Sequence, residues 1–265
     1  MSKLETALWP ERIICLTAET TEIVFALGAQ DRLVGVSGYS VRPPEARYKE
    51  KVAAFTSVRR DKIRELQPDL ILGFSDLQKD ILRDLVGEGF NVFVTNQRSL
   101  AEIGEVILAI GRLLGLEQKA LEIRARFFAE LDELAAQNRR FRFRPRVYFE
   151  EWDDPLIAGI RWVSELIEKL GGEDVFKEKS LGLTASQRTL DPQEVINKDP
   201  DLVIASWCGK KVQKEKILSR PGWSGMKMIK ENQIYEIKSA DILAPGLSLL
   251  HGARQMADIL KQAAG

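Results

Sequence analysis

Two adjacent carboxylates beside an indole, Glu150-Glu151-Trp152, are the side chains in this 265-residue sequence whose types and spacing come nearest to chemistry. A carboxyl held against Trp152 would keep its proton toward neutral pH and could act as a general acid. Glu150 and Glu151 end an expected strand, Arg146 to Glu151, so they point to opposite faces and only one is expected to enter a cleft. The competing reading is a strand end at which one carboxylate caps the following turn. The lone histidine, His251, stands in Leu249-Leu250-His251-Gly252 with no second histidine at ligand spacing. The two cysteines, Cys15 and Cys208, lie far apart, and one His with two Cys makes no zinc site without carboxylates. No GxSxG, no GxGxxG after a strand and no phosphate-cradling GxxxxGK loop occurs. Hydrolytic and nucleotide chemistries are therefore disfavoured: no catalytic residue, no metal site and no intrinsic cofactor is expected. Free thiols are expected rather than a disulfide framework.

The elements that must position these residues belong to a globular chain. Lys and Arg number 39, Asp and Glu 39, so the formal charge is zero, and 45% of residues are hydrophobic. That balance argues against a nucleic-acid partner and against a disordered tail. The one local exception is Arg139-Arg140-Phe141-Arg142-Phe143-Arg144-Pro145-Arg146, whose alternation could contact a single strand but fits a solvated return loop after a helix end. The first forty residues hold no long apolar run behind a basic start, so neither a signal peptide nor a membrane helix is expected. The chain as written thus reads as cytoplasmic, or as extracytoplasmic if a leader precedes it.

A divergent internal repeat gives the organisation. Asp61 to Phe74, DKIRELQPDLILGF, and Gln193 to Ser206, QEVINKDPDLVIAS, each read as a helical turn, a Pro-Asp break and an apolar strand. Arg12 to Thr17 and Arg146 to Glu151 read as strands, each followed by a helix ending in Leu-Gly, at Leu27-Gly28 and Leu170-Gly171. The predicted fold class is α/β: two small lobes with mainly parallel sheets, residues 1–115 and 139–265, joined by a single long helix over 116–138, with a ligand cleft between them. Gly111 and Gly115 are expected to break the helical stretch that precedes this connector.

Ligands of open α/β sheets bind beyond the carboxyl ends of the strands. The expected ends carry aromatics: Tyr39, Phe55 and Phe74 in the first lobe, Trp152 and Trp207 in the second, with the Ala240–Pro245 segment alongside. Aromatic walls with few polar groups suit a large, flat, partly apolar ligand. Trp162 and Trp223 are expected in the core instead.

These segments resemble the class III periplasmic binding proteins of ABC importers, which bind vitamin B12, haem and ferric siderophores. The likeness is carried by Gly35-Val-Ser-Gly-Tyr-Ser40 with Pro43-Pro44, Leu66-Gln-Pro-Asp-Leu-Ile71 and Leu170-Gly-Gly-Glu-Asp-Val-Phe176. A cobalamin-binding subgroup is similar further, through Glu150-Glu151-Trp152, Ser206-Trp-Cys-Gly209, Arg220-Pro-Gly-Trp223 and Ile242-Leu-Ala-Pro-Gly246. The resemblance implies a monomeric, non-enzymatic binding protein for cobalamin or a related tetrapyrrole. Tyr39, Phe55, Phe74 and Phe93 would supply one wall, and Glu151, Trp152, Trp207, Cys208, Ile242 and Pro245 the other. Alternatives are a ferric siderophore, a modified nucleobase precursor, or an enzyme using Glu150 or Glu151. A Cys208 thiolate or His251 could also ligate the metal of a bound cofactor. Importer-coupled members dock to a permease through acidic residues. Lys79 beside Asp80, and Lys210, Lys211 and Lys214, stand near those positions here and argue against such docking.

Overall fold

Leu70–Phe74 and Leu202–Ala205, the apolar runs of the repeat, are both strands buried along their whole length in the computed structural model, which describes residues 8–138 and 143–265. Burial on both faces is what a central parallel strand covered by helices requires. The chain divides into two compact units, Met1–Gln97 with Ala101–Arg126, and Arg98–Leu100 with Phe127–Gly265.

In the first unit the order is β1 (Ile13–Cys15), α1 (Ala18–Ala26), β2 (Leu33–Ser37), β3 (Lys51–Ala54), β4 (Ser57–Val58), α2 (Arg60–Leu66), β5 (Leu70–Phe74), α3 (Lys79–Gly87) and β6 (Val92–Thr95). Helices α4 (Leu100–Leu113) and α5 (Glu117–Gln137) follow. The sheet runs β4-β3-β2-β1-β5-β6, parallel throughout except the β3–β4 hairpin. Ile14, Leu16, Val52, Ile63, Ile71, Leu82 and Leu85 form a core beneath it.

The second unit contains β7 (Arg146–Asp153), β8 (Leu156–Ala158), α6 (Arg161–Lys169), β9 (Glu173–Asp174), β10 (Thr189–Leu190), α7 (Pro192–Lys198) and β11 (Leu202–Ala205). It ends with α8 (Lys214–Leu218), α9 (Lys227–Lys230), β12 (Ile234–Glu236), α10 (Ser239–Ile242) and α11 (Leu249–Ala264). Its sheet runs β10-β8-β7-β11-β12, with β9 also paired to β7. The β7–β11, β11–β12 and β7–β9 pairs are parallel, and β8 is antiparallel to both its neighbours. Trp162 and Trp223 are buried, as expected.

The repeat is legible atom by atom. The Asp69 carboxylate accepts the Glu11 and Arg12 N–H groups at 2.8 and 3.0 Å, its own N–H donates to the Arg12 carbonyl at 3.0 Å, and Arg12 Nε donates to the Leu66 carbonyl at 2.9 Å. In the second unit Asp201 accepts from Arg146 N–H at 2.8 Å, returns a bond to the Arg146 carbonyl at 2.8 Å, and Arg146 donates to the Asp199 carbonyl at 3.0 Å. Each Pro-Asp is preceded by a left-handed residue, Gln67 (φ 45°) or Asp199 (φ 40°), that ends the helix. Gly28 (φ 76°) and Gly171 (φ 96°) close α1 and α6, with Ala29 N–H bonded to the Val24 carbonyl and Gly172 N–H to that of Ile167, the crossed pattern of a Schellman end.

Gly111 does not break the helix as expected. It lies inside α4, where a Cβ would sit 2.3 Å from that of Ala120 on α5, so its smallness serves a close helix approach. The break comes at Gly115 (φ 71°), whose bare face packs on the Trp9 ring. Helix α5 then runs 21 residues, about 30 Å, through the point where the two units divide. Residues 139–142 of the Arg-Phe stretch lie outside the described residues. Beyond them, Arg144 donates to the Gly172 carbonyl at 2.6 Å and Arg146 serves the repeat, so these two guanidiniums hold the fold.

Candidate ligand-binding site

In the first unit the parallel strands end in short turns, and two of the expected aromatics stand exposed there. Tyr39, in the turn after β2, is 59% exposed, and Phe55, between β3 and β4, is 38% exposed. Gln78, fully buried, ties the Phe55 turn to the end of β5: it donates to the Phe55 carbonyl at 2.9 Å and accepts from Phe74 N–H at 3.0 Å. Phe74 itself is buried, and Phe93 on the edge strand is half-buried. The hydroxyls of Thr21 and Ser40, 2.8 Å apart, link α1 to the turn that carries Tyr39. Glu19, in the first turn of α1, is buried, and its Oε1 has no hydrogen-bond partner among the described residues. Burial pushes its carboxyl up to about 7, against the opposing bonds from Thr17 and its own backbone.

In the second unit the ends of β7 and β11 carry an ionic cluster. Glu150 is fully buried, and Arg220 grips it with two bonds at 2.5 and 2.9 Å while Trp207 Nε1 donates to it at 2.9 Å. Arg220 in turn lies 4.6 Å over the Trp223 ring. The next residue, Glu151, is where β7 carries one residue more than β8: Glu150 pairs with Ala158, but Trp152 with Ile157. Such a bulge re-aims a side chain. Glu151 accepts both terminal nitrogens of Arg188 at 2.6 and 2.9 Å, and Arg188 also donates to the Ala158 carbonyl. The two adjacent carboxylates are thus each locked to a separate guanidinium.

Trp152 is half-buried, its indole N–H held at 2.9 Å by the Asp154 carbonyl. Lys210 Nζ lies 3.8 Å above its ring, 4.9 Å from the Trp207 ring and 2.5 Å from Asp153 Oδ1. Burial pushes the Asp153 carboxyl up, but the Lys210 bond, its own backbone and the Lys210 and Lys216 charges outweigh that and leave it below the usual range. Cys208 sits exposed in the same turn as Lys210, its thiol raised by burial and by Glu151.

Several expected wall residues turn inward. Trp207 is 1% exposed, its indole spent on Glu150. Ile242 is fully buried and its carbonyl accepts Trp162 Nε1 at 3.0 Å; Pro245 is buried as well. Strand-end position marked these residues, but Trp207 packs into the second unit's core beside Tyr148 and Trp223, and Ile242 lies against Trp162. His251 is exposed on α11 with Arg254 3.4 Å from Nδ1, and among the described residues no group of three His, Cys, Asp or Glu is placed to hold a metal. Cys15 is buried and free, its thiol pushed up to about 12 by burial. Sequence reasoning missed Arg188, Gln78 and the Arg220–Glu150 pairing, because a long polar side chain leaves no periodic signal of the partner it will meet.

The first unit thus offers two exposed aromatic rings at its strand ends, and the second a half-buried indole under a lysine ammonium. The family model described as periplasmic binding protein matches residues 13–240. The chain belongs to the periplasmic binding proteins. It is 31% identical over 200 residues, 74% of this chain and 71% of the relative, to the vitamin B12-binding protein of Vibrio vulnificus (strain YJ016). The periplasmic vitamin B12 binding protein BtuF of Vibrio cholerae superposes with a TM-score of 0.76 at 25% identity, covering 96% of this chain and 98% of that one. The periplasmic heme-binding protein RhuT from Roseiflexus sp. RS-1 gives 0.82 at 22% identity, covering 96% and 99%, which shows a shared fold. The two α/β units of this periplasmic binding protein carry mainly parallel sheets, as the sequence predicted. Among the described residues no helix is long and apolar enough to cross a membrane.

Proposed function

We propose that this protein is a non-enzymatic binder of cobalamin or a related tetrapyrrole. The observation that carries the reading is the exposure of Tyr39 and Phe55 at first-unit strand ends, where open α/β sheets take ligands. Two aromatic rings at the ends of paired strands offer flat apolar area on which such a ligand can stack. In the second unit, taken by itself, Trp152 is likewise a ring at a strand end, half-buried. The V. vulnificus relative, named for vitamin B12, supports the ligand class.

An enzyme built on Glu150 or Glu151 has less support. A general acid needs a carboxyl free to exchange its proton with substrate, and both carboxylates are held by paired guanidinium bonds. A tetrapyrrole metal needs no protein cofactor to bind here; stacking and area burial supply the affinity. The family implies work outside the cytoplasm. Delivery to a permease is not part of the proposal, since Lys79, Lys211 and Lys214 are exposed and basic.

Titration with cyanocobalamin and with haemin, followed by absorbance and calorimetry, tests the reading. A Kd below about 10 μM, roughly 7 kcal/mol, is expected for one of them, weakened in Tyr39→Ala. No heat and no spectral change with either at tens of micromolar would sink it.

A further inference from the structure

Lys210 occupies the ring face that a flat ligand would use. Its position is built: Lys210 N–H closes a turn on the Trp207 carbonyl at 3.3 Å, with Gly209 (φ 72°) at the third corner, where a side chain would be strained. The turn is pinned on both flanks, Gly209 N–H to Ser239 Oγ at 3.3 Å and Val212 N–H to Glu236 Oε1 at 3.0 Å. A pinned turn and an oriented indole put the ammonium over Trp152 without order in the lysine stem itself.

Two features show that this cation can leave. Its side chain is 37% exposed, so its release toward water is open. Asp153, by contrast, is nearly buried and has a second cation, Lys216 Nζ at 3.5 Å from Oδ2. If Lys210 swings away, Asp153 keeps a counter-charge and no bare buried carboxylate results. The neighbouring pairs do not share this freedom, since Glu150–Arg220 and Glu151–Arg188 are one carboxylate to one guanidinium. At the cluster as a whole, three carboxylates meet four cations, and the surplus falls at Asp153.

We infer that Lys210 recognises an anionic substituent, a carboxylate or a phosphate, on the rim of a flat ligand stacked on Trp152, exchanging the ring face and Asp153 for that group as the ligand arrives. This rests on the tetrapyrrole reading above and adds the charge the ligand must carry. The bond to a ligand oxygen replaces the Lys210–Asp153 bond in kind, and the ligand's stacking on the indole replaces the ammonium over a partly wet ring, which gives the exchange its direction. A neutral ligand of the same shape would have to displace Lys210 with nothing in return.

Three probes separate the sources: haemin with free carboxylates, cyanocobalamin with a phosphodiester, and dicyanocobinamide with neither. Wild type, Lys210→Met and Lys210→Arg are titrated with each, with thermal melting as a check on folding and tryptophan emission on the apo proteins. Lys210→Met should lose about tenfold or more for the anionic probe that wild type binds, keep or gain affinity for dicyanocobinamide, and shift the tryptophan emission. Lys210→Arg should restore the preference. A loss with haemin alone names a carboxylate, and a loss with cyanocobalamin alone a phosphate. If Lys210→Met changes all probes that wild type binds by the same factor, or none of them, the inference is overturned while the tetrapyrrole reading stands. If wild type itself binds none of the three, that reading falls and takes this one with it.

Discussion

Arg220 and Glu150, seventy residues apart in sequence, form a two-bond ion pair at 2.5 and 2.9 Å around a carboxylate that has no solvent exposure. Trp207 completes the carboxylate's shell, and Trp223 underlies the guanidinium. Removing the cation alone leaves an uncompensated buried charge. Arg220→Met should destabilise the protein by about 3–5 kcal/mol, whereas Arg220→Met combined with Glu150→Gln should recover a large part of it. Urea unfolding of the two variants checks this, and equal losses would show that packing rather than charge dominates.

The two Asp residues of the repeat differ in environment. Asp201 is more buried than Asp69 and also pairs with Lys227 at 2.9 Å, which raises that lysine through the bond and the charge. Asp201→Ala should cost about 1–3 kcal/mol and Asp69→Ala less, since exposed carboxylates return to water cheaply. Paired denaturation curves give the order; a larger loss at Asp69 would contradict it.

Glu19 sets a pH dependence. Its carboxyl stands at about 7 in the folded chain against 4.5 for the free group. The folded state therefore holds a proton that the unfolded state has released between these values, so stability falls as pH rises from about 4.5 to about 7. The difference amounts to roughly 2–4 kcal/mol at full deprotonation. Glu19→Gln should flatten this slope and be the more stable protein at pH 8. Melting curves from pH 4 to 8 test it, and parallel curves for the two proteins would refute it.

The thiols should separate cleanly. Iodoacetamide should modify Cys208 in the folded protein, slowly at pH 7 because burial and Glu151 hold its thiol up, and reach Cys15 only after unfolding. Intact mass after timed labelling shows one adduct or two.

Much of the frame was readable in advance because local rules wrote it. Leu-Gly ends, Pro-Asp breaks and apolar runs act over a few residues, and Gly28, Gly171, Gln67, Asp199, β5 and β11 all behave accordingly. The site was less readable. Tyr39 and Phe55 stand exposed as their strand-end positions suggested, but Trp207, Ile242 and Pro245, marked by the same rule, are buried. Position at a strand end says where a side chain starts, and its packing partners, distant in sequence, decide whether it is covered.

The sequence by itself determined the α/β class, the duplicated plan and the family, since these rest on periodicity and on motifs a few residues long. Only the tertiary structure decided what the charges do. Glu150, Glu151 and Asp153 are neighbours in the chain, yet their partners Arg220, Arg188 and Lys210 come from 37 to 70 residues away. Electrostatic pairing depends on distance in space and on the water removed around it, and neither is written in local order. Glu150 and Glu151, the two carboxylates that read as catalytic candidates, thus become structural clamps, while Asp153 beside them holds Lys210.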